Sequence, residues 1–252
     1  MCNFFIYGFV LLIFPMTLFA DDNIFYHKNV IYYNGDINQH GFERVKDIHS
    51  QHPDVTRITF NSFGGYADVG IDFANWIVKK GLDIEVDKYC ISSCANYLFL
   101  AGKNKYLNRK SFLGWHGGMF QLKNEKLTSV DIYKILNFSN DCNSNALSDI
   151  SLITPIDKII DECLFFKKIN VNMLITVYGQ VKPVIFYSDK QQLWSYTAEA
   201  LACLGVKNIV LLDDKWTPEK IIKGRLVTYF ELDEIEKQVI TSKFVSEAFI
   251  SY

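Results

Sequence analysis

The sequence lacks the features of disordered, fibrous and charge-driven proteins. It has only five prolines in 252 residues, and no internal repeat, low-complexity stretch or linker interrupts it, which excludes the disordered and fibrous classes. Neither sign of charge is in excess, because 26 basic and 28 acidic residues leave a formal charge of -2. No basic field therefore points to nucleic acid as a partner. The length and composition predict a globular chain with one large domain.

Long hydrophobic runs are also missing, with one exception at the start of the chain. An uncharged apolar run extends from Phe4 to Ala20 and is followed by Asp21 and Asp22, which is typical of a secretory signal peptide cleaved after Ala20. An uncleaved membrane anchor is the alternative, since no Lys or Arg precedes the run and Leu18 is bulky for its place near the cut. We therefore expect a periplasmic or secreted protein, or one anchored to a membrane by this segment.

Five cysteines remain after such a cleavage, and an odd number leaves at least one of them free or paired between chains. In an oxidising compartment, Cys90 with Cys94 and Cys142 with Cys163 are candidate disulfides, although spacing alone does not fix the connectivity. A zinc site is the competing interpretation of Cys90 and Cys94. No second ligand pair stands at a matching spacing, so we expect neither a metal nor a cofactor.

Strand and helix patterns alternate along the first half of the chain. The hydrophobic periodicity predicts strands at 30–33, 55–60, 82–86 and 112–116, and helices at 41–49, 67–80 and 90–101. Beyond residue 121 the pattern predicts a helical insert over 122–180, a strand at 184–187, a helix at 197–204 and a strand at 208–212. The alternation favours an α/β fold with a mostly parallel sheet and crossover helices. We divide the chain into a signal peptide (1–20), an α/β domain (21–215) and a C-terminal helical extension (216–252).

Three short segments together have the residue types that acyl transfer needs. Asn61-Ser62-Phe63-Gly64-Gly65 follows a strand, Cys90-Ile91-Ser92-Ser93-Cys94 opens a helix, and Gly114-Trp115-His116 ends a strand. A serine hydroxyl becomes a nucleophile when a base takes its proton, and backbone N–H groups at a helix start can stabilise the developing oxyanion. A Gly-Gly turn lets a substrate approach those N–H groups closely.

Each segment also has a purely structural interpretation. A Gly-Gly pair after a strand is more often only a turn. Ser92 and Ser93 can serve as an N-cap pair for the helix that follows. His116 between glycines can be a histidine with a structural role. The order and spacing of the three segments favour chemistry over these alternatives.

Taken together, these motifs resemble those of the ClpP/crotonase superfamily, and in particular its exported bacterial ClpP-like serine peptidases. The resemblance covers about residues 30–212. It rests on the strand with Asn-Ser-x-Gly-Gly, the serine-led helix with Leu98-Phe99-Leu100-Ala101-Gly102, the strand ending in His116, and the segment Leu193-Trp194-Ser195-Tyr196-Thr197-Ala198-Glu199-Ala200. It implies a spiral of ββα units, a Ser-His-Asp triad, an oxyanion hole and frequent homo-oligomerisation.

Carried over by position, the resemblance makes Ser93 the nucleophile and His116 the general base. Gly64 and Gly65, with the N–H of Cys94, would form the oxyanion and substrate site. Ser92 is the alternative nucleophile if the flanking cysteines set the alignment. The chain departs from the pattern at the third member, because Gln192 stands where the aspartate is expected. Asp189 is the nearest substitute, with Asp161 or Glu162 as further alternatives.

The leading hypothesis is an ATP-independent serine peptidase that acts outside the cytoplasm on peptides or unfolded chains, without an ATPase partner. A ClpP-like binding module without chemistry is the alternative, motivated by Gln192. Acyl-CoA chemistry of the crotonase type is a third hypothesis, and an exported location argues against it. A Ser-Lys dyad with Lys103 or Lys105 ranks behind these, because His116 occupies the position of a Ser-His base.

Overall fold

The structure is a computed structural model that describes residues 23–121, 129–148, 150, 152–181, 193–222 and 224–231. Its main element is a seven-stranded sheet that is parallel except at one edge. The α/β class with a mostly parallel sheet is therefore confirmed. The predicted signal peptide (1–20) and the strand predicted at 184–187 lie outside the described residues.

The strands of the main sheet have the order β1-β2-β3-β4-β5-β8, and β6 pairs with β4 beyond the end of β5. Strands β7 and β9 to β11 form two small additional sheets. The bounds are β1 Asn23–His27, β2 Val30–Asn34, β3 Arg57–Ser62, β4 Asp83–Ile91, β5 Lys105–Leu107, β6 Phe112–Gly114, β7 Trp194–Tyr196, β8 Ile209–Leu211, β9 Ile221–Ile222, β10 Arg225–Leu226 and β11 Thr228–Phe230.

Helices connect these strands and cover the sheet. Among the described helices none is both long and apolar enough to cross a bilayer. A helix with π-helical turns, Cys94–Phe99, follows β4, and we call it the serine helix. The α-helices are α1 Gln39–Gln51, α2 Ala67–Lys80, α3 Ser129–Asp141, α4 Ile156–Ile169, α5 Tyr178–Val181 and α6 Ala198–Cys203, with 3₁₀ turns at Ser144–Leu147 and Met173–Thr176.

Capping residues determine where α1 begins and where α2 ends. The Asn38 side chain caps α1 by accepting from the Gly41 amide at 2.7 Å, which satisfies one of the free amides of the first turn. Helix α2 ends at Gly81, whose φ of 65° is the left-handed conformation that glycine adopts without strain. The two helices meet through stacked Phe42 and Phe73 rings, whose centroids are 4.6 Å apart. Their apolar faces are thus fixed against the sheet.

The helical region after β6 is held to itself by a disulfide. Cys142 follows α3 and Cys163 lies on α4, and their sulfur atoms are bonded. Both cysteines are buried in the main hydrophobic core. This part of the chain corresponds to the predicted insert at 122–180, of which residues 122–128 lie outside the description. The bond closes a loop of 21 residues and fixes α4 against α3.

The chain between 216 and 231 forms strands where a helical extension was expected. Strands β9 and β10 pair as a hairpin around Gly224, whose φ is 75°. Strand β11 pairs in parallel with β7. Residues 225–230 read Arg-Leu-Val-Thr-Tyr-Phe, and β-branched and aromatic side chains of this kind favour strands. Tertiary pairing to β7 therefore prevails over a helical pattern, and residues 232–252 lie outside the described part.

Lys105 is a buried cation at the beginning of β5. Its ammonium group donates to the carbonyls of Gly102 and Lys207 at 2.8 and 3.1 Å. Within the described residues it has no acidic partner. Burial lowers its pKa to about 8, because the charged form loses its hydration. The folded state therefore releases this proton at a lower pH than the unfolded chain does.

We predict that Lys105 makes the protein more stable as pH rises. Above pH 8 the unfolded chain still holds the lysine proton and the folded chain does not, so the free energy of unfolding should rise by up to about 1.4 kcal/mol per pH unit until about pH 10. Urea unfolding at pH 7.5 and 9.5 measures the rise in the wild type. In Lys105→Met the rise should be smaller, and an equal rise in both proteins would contradict the assignment.

Candidate functional site

The three segments singled out in the sequence meet at one edge of the sheet. The Gly-Gly turn follows β3, Ser92 follows β4, and Trp115 with His116 follow β6. Strand β4 pairs in parallel with both β3 and β6, and parallel neighbours end at the same edge of a sheet. The described structure therefore brings together residues that lie more than 50 positions apart along the chain.

Ser92 occupies a sharp turn between β4 and the serine helix. Its φ of 56° is left-handed, a conformation that non-glycine residues adopt rarely and mostly where the surrounding structure imposes it. The Ser92 amide donates to the Gly114 carbonyl at 2.9 Å, and its carbonyl accepts from the Asn96 amide at 2.7 Å. Its side chain is half-buried. Hydrolase nucleophiles are often presented on a strained strand-to-helix turn of this kind.

Ser93 has a different environment. The residue is 2% exposed, and its hydroxyl has no hydrogen-bond partner among the described atoms. A Cβ built on Gly70 of α2 would lie 3.2 Å from the Ser93 Cβ, so the side chain points at a helix that leaves little room. A substrate carbonyl cannot reach a hydroxyl buried in this way without a rearrangement. Burial favours Ser92, the alternative left open by the sequence, over Ser93.

Gly64 and Gly65 are packed too closely for a larger residue. A Cβ on Gly64, whose φ is 98°, would come within 2.6 Å of the Ser92 Cβ and 3.1 Å of the Ser93 nitrogen. On Gly65 it would collide with the backbone of Ile37. The amides of Gly65 and Ser93 donate no hydrogen bond within the described part of the chain. The Gly-Gly turn thus lies directly against the Ser92 turn, with two amides unused.

A disulfide spans the Ser92 turn. Cys90, near the end of β4, is bonded to Cys94, the first residue of the serine helix, with Cα atoms 5.2 Å apart. Both cysteines are fully buried. The bond uses the two thiols that a zinc ion would need. It constrains the residues between strand and helix, where the left-handed conformation of Ser92 has to be maintained.

The backbone on either side of His116 is attached to the serine segment. Gly114 accepts from the Ser92 amide, and Gly117 accepts from the Asn96 side chain at 2.8 Å. The imidazole itself makes no hydrogen bond to either serine within the described residues. Asn96 was not anticipated from the sequence. Its position as a polar residue in the apolar run 94–102 is the signal that could have identified it.

Burial lowers the pKa of the His116 imidazole below its usual range, while a backbone hydrogen bond at the same residue opposes the shift. The side chain is only partly exposed, and an imidazolium loses hydration there. His116 is therefore neutral at pH 7. A neutral imidazole is the form that can accept a proton.

No described acid contacts the His116 ring. Asp189 and Gln192 lie outside the described residues. Only the sequence therefore shows that the chain departs from the Ser-His-Asp pattern at its third member. Trp115 and Trp194 form an antiparallel bridge, and this register places Leu193 beside His116. Asp161 is exposed on α4, and Glu162 is buried and bonded elsewhere. Of the acids proposed from the sequence, the described ones do not orient the imidazole directly.

Glu162 accepts three hydrogen bonds inside the core. The donors are the Tyr97 hydroxyl at 2.7 Å, the Met119 amide at 3.0 Å and the Phe120 amide at 3.3 Å. Burial raises the pKa of its carboxyl, and these three hydrogen bonds work in the opposite direction. The pKa of Tyr97 is raised by burial and by the neighbouring Glu162, so its hydroxyl stays protonated and able to donate. Sequence reasoning did not foresee this cluster.

Two other features lie away from the serine turn. Lys105 pairs with Ile84 near the start of β4, and Ser92 is eight residues further along, which is about 26 Å for an extended strand. A Ser92–Lys105 dyad is therefore excluded. A cleft of about 370 Å³ lies between α2 and α4, with charged residues of both signs such as Asp68, Asp161 and Lys168 on its walls. Neither serine lines it.

We predict that the Cys90–Cys94 bond affects the reactivity of Ser92 more than it affects the stability of the protein. Short loops lose less entropy on closure, so removing this bond should cost about 2 kcal/mol of unfolding free energy, and removing Cys142–Cys163 about 3 kcal/mol. The Cys90→Ala/Cys94→Ala protein should nevertheless lose at least about tenfold in its rate of labelling by a fluorophosphonate, because the Ser92 turn relaxes.

The matched control is Cys142→Ala/Cys163→Ala, which should lose more stability and less of its labelling rate than Cys90→Ala/Cys94→Ala. Urea unfolding and single-turnover labelling of both double variants measure the two quantities. A loss of reactivity that simply follows the loss of stability in both variants would show that the bond has no special effect on Ser92.

No protein-family model matches this chain, and no curated protein shows significant similarity to it. The ClpP-like resemblance therefore rests on sequence motifs alone, and the function has to be argued from the geometry of the site.

Proposed function

We propose that this protein is an ATP-independent serine hydrolase of the ClpP/crotonase type, with a spiral of ββα units, that cleaves peptides or unfolded chains outside the cytoplasm. One observation carries the proposal. Ser92 is held in a left-handed turn against Gly64, while the residues on both sides of His116 are attached to the same turn. Ser92 is the proposed nucleophile, whereas the sequence alone favoured Ser93.

In the first half of the reaction Ser92 Oγ attacks the carbonyl carbon of the substrate. His116 accepts the serine proton as the new C–O bond forms, and the carbonyl π electrons move onto the oxygen. The amides of Gly65 and Ser93 have no backbone acceptor in the described chain, and we assign them as the donors that stabilise this oxyanion. With Ser92 as nucleophile, the second donor moves from Cys94 to Ser93.

In the second half, the C–N bond breaks and His116 returns its proton to the leaving amine. Water then attacks the acyl ester of Ser92 with His116 again as the base, which releases the carboxylic acid and restores the serine. The steps use no metal or cofactor. Asp189 is the remaining candidate for orienting the imidazole, a role that the sequence alone assigns to it.

The proposed compartment agrees with the cysteine chemistry. Four of the five cysteines after residue 20 form two disulfides, and only Cys203 is free. Disulfides of this kind persist in oxidising compartments such as the periplasm or the cell exterior. An exported enzyme meets peptides and unfolded chains without an ATPase to unfold them, which motivates the proposed substrate class. Homo-oligomerisation belongs to the same proposal.

A peptide-binding module without chemistry is the second candidate function. It is favoured by the missing hydrogen bond between Ser92 Oγ and the His116 ring in the described structure, and by Gln192 at the expected aspartate position. Binding without cleavage would use the same edge of the sheet and make no use of the strained serine. The two candidates differ in one measurable property, the nucleophilicity of Ser92.

We predict that Ser92→Ala abolishes labelling by a fluorophosphonate and Ser93→Ala does not. In this reaction Ser92 Oγ bonds to phosphorus, fluoride leaves, and His116 takes the serine proton, so His116→Ala should also lose labelling by at least about a hundredfold. Mass spectrometry of the labelled peptide identifies the modified serine.

Circular dichroism of each variant provides the control for folding. Labelling that disappears in Ser93→Ala and persists in Ser92→Ala would overturn the choice of nucleophile. A folded wild type that is not labelled at all, but binds an unfolded polypeptide, would support the binding module instead.

We predict that the labelling rate of the wild type rises with pH to a plateau, with its midpoint below the usual histidine pKa. The base must be neutral, and because burial lowers the pKa of His116, the rate should rise with pH below the usual histidine pKa of about 6.5 and then level off. Labelling rates between pH 4.5 and 8 measure the midpoint. A midpoint above 6.5 would contradict the predicted direction.

A further inference from the structure

The Glu162 carboxylate is a buried acid with no cationic partner. It lies on α4, is 0% exposed, and the described structure places no Lys, Arg or His within ion-pair distance of it. An ionised group in the core is costly, and removing such groups in favour of apolar side chains is often neutral or stabilising. Stability alone therefore does not account for an acid at this position.

The three groups that donate to Glu162 belong to the two halves of the proposed active site. Tyr97 lies on the serine helix, five residues after Ser92. Met119 and Phe120 lie on the loop that continues from His116. The carboxylate thus connects the segment of the nucleophile with the segment of the base, and each contact is a hydrogen bond to an acceptor that can carry a full charge.

Close packing restricts the loop further. A Cβ on Gly118 would come within 2.3 Å of Glu162 Oε1, so the loop backbone lies directly on the carboxylate. Gly117, the preceding residue, accepts from Asn96 of the serine helix. Residues 117–120 are therefore held at consecutive positions, immediately after His116.

We propose that Glu162 is a positioning residue that fixes the loop of His116 against the serine helix and so sets the imidazole relative to Ser92. Glu162 is then not the acid of a Ser-His-Asp triad, since its oxygens are used by Tyr97 and two backbone amides. The inference rests on the proposed function for its catalytic consequence. Its structural part, the anchoring of residues 119 and 120, is independent of any reaction.

The test compares neighbouring acids on the same helix. Glu162→Gln keeps the size of the side chain but has one acceptor oxygen and an NH₂ group facing backbone donors, so it cannot satisfy all three. Asp161→Asn makes the same chemical change one residue away, on the exposed side of α4. Tyr97→Phe removes only the hydroxyl that joins the serine helix to Glu162.

Two measurements are made on each full-length protein. The first is the fluorophosphonate labelling rate, and the second is the hydrogen exchange of the Met119 and Phe120 amides together with the NMR titration of His116. We expect Glu162→Gln to label at least about tenfold more slowly, to exchange at least one of the two amides at least about tenfold faster, and to shift the His116 titration. Asp161→Asn should match the wild type in every respect.

The outcomes separate this inference from the proposed function. If the wild type is not labelled but Glu162→Gln frees at least one of these amides and shifts His116, the positioning role stands and the hydrolase proposal fails. If the wild type is labelled and Glu162→Gln matches it in rate and in exchange, the inference is overturned. Should Glu162→Gln fail to fold, Tyr97→Phe decides, with slower labelling supporting the role and an unchanged rate overturning it.

Discussion

The pairing of β4 on both of its edges is the constraint on which the rest of the structure depends. Over its nine residues β4 pairs with β3 on one side, and on the other side first with β5 and then with β6. A parallel strand shared in this way forces three loops to emerge at one edge. The Gly-Gly turn, the Ser92 turn and the His116 loop are neighbours because of this register, and each is then refined by shorter-range contacts.

Those shorter-range contacts are of two kinds, a covalent bond and polar contacts. The Cys90–Cys94 bond limits the conformations of the Ser92 turn, and Asn96 and Glu162 hold the loop beyond His116. Buried polar groups specify one arrangement only when all of their partners are satisfied. Glu162 meets this condition, whereas Asn96 Oδ1 has no partner among the described atoms. The proposed site therefore combines the end of β4 with a polar cluster, and both pack against the apolar core.

The sequence predicts the backbone framework well and the side-chain environments poorly. Periodicity identified α2 at its observed bounds and located β2, β3 and β6 to within a few residues, because each has a clear apolar pattern. The choice between Ser92 and Ser93 depends on the burial of Ser93 and on the left-handed conformation of Ser92, neither of which periodicity reveals. Glu162 and Tyr97 are 65 positions apart, and β11 pairs with the distant strand β7, so neither contact could be derived from local sequence.

The separation along the chain of the Glu162 contacts has a consequence for the order of folding. The Ser92 turn is built from strands and helices between residues 57 and 114, whereas the anchor closes loops of 42 to 65 residues. Contacts that close longer loops pay a larger entropic cost and form later. We therefore expect the Ser92 turn to form before the Glu162 contacts, so that the strained serine is in place before it is aligned with its base. In this order, alignment of the base with the serine would follow the docking of α4, which carries Glu162.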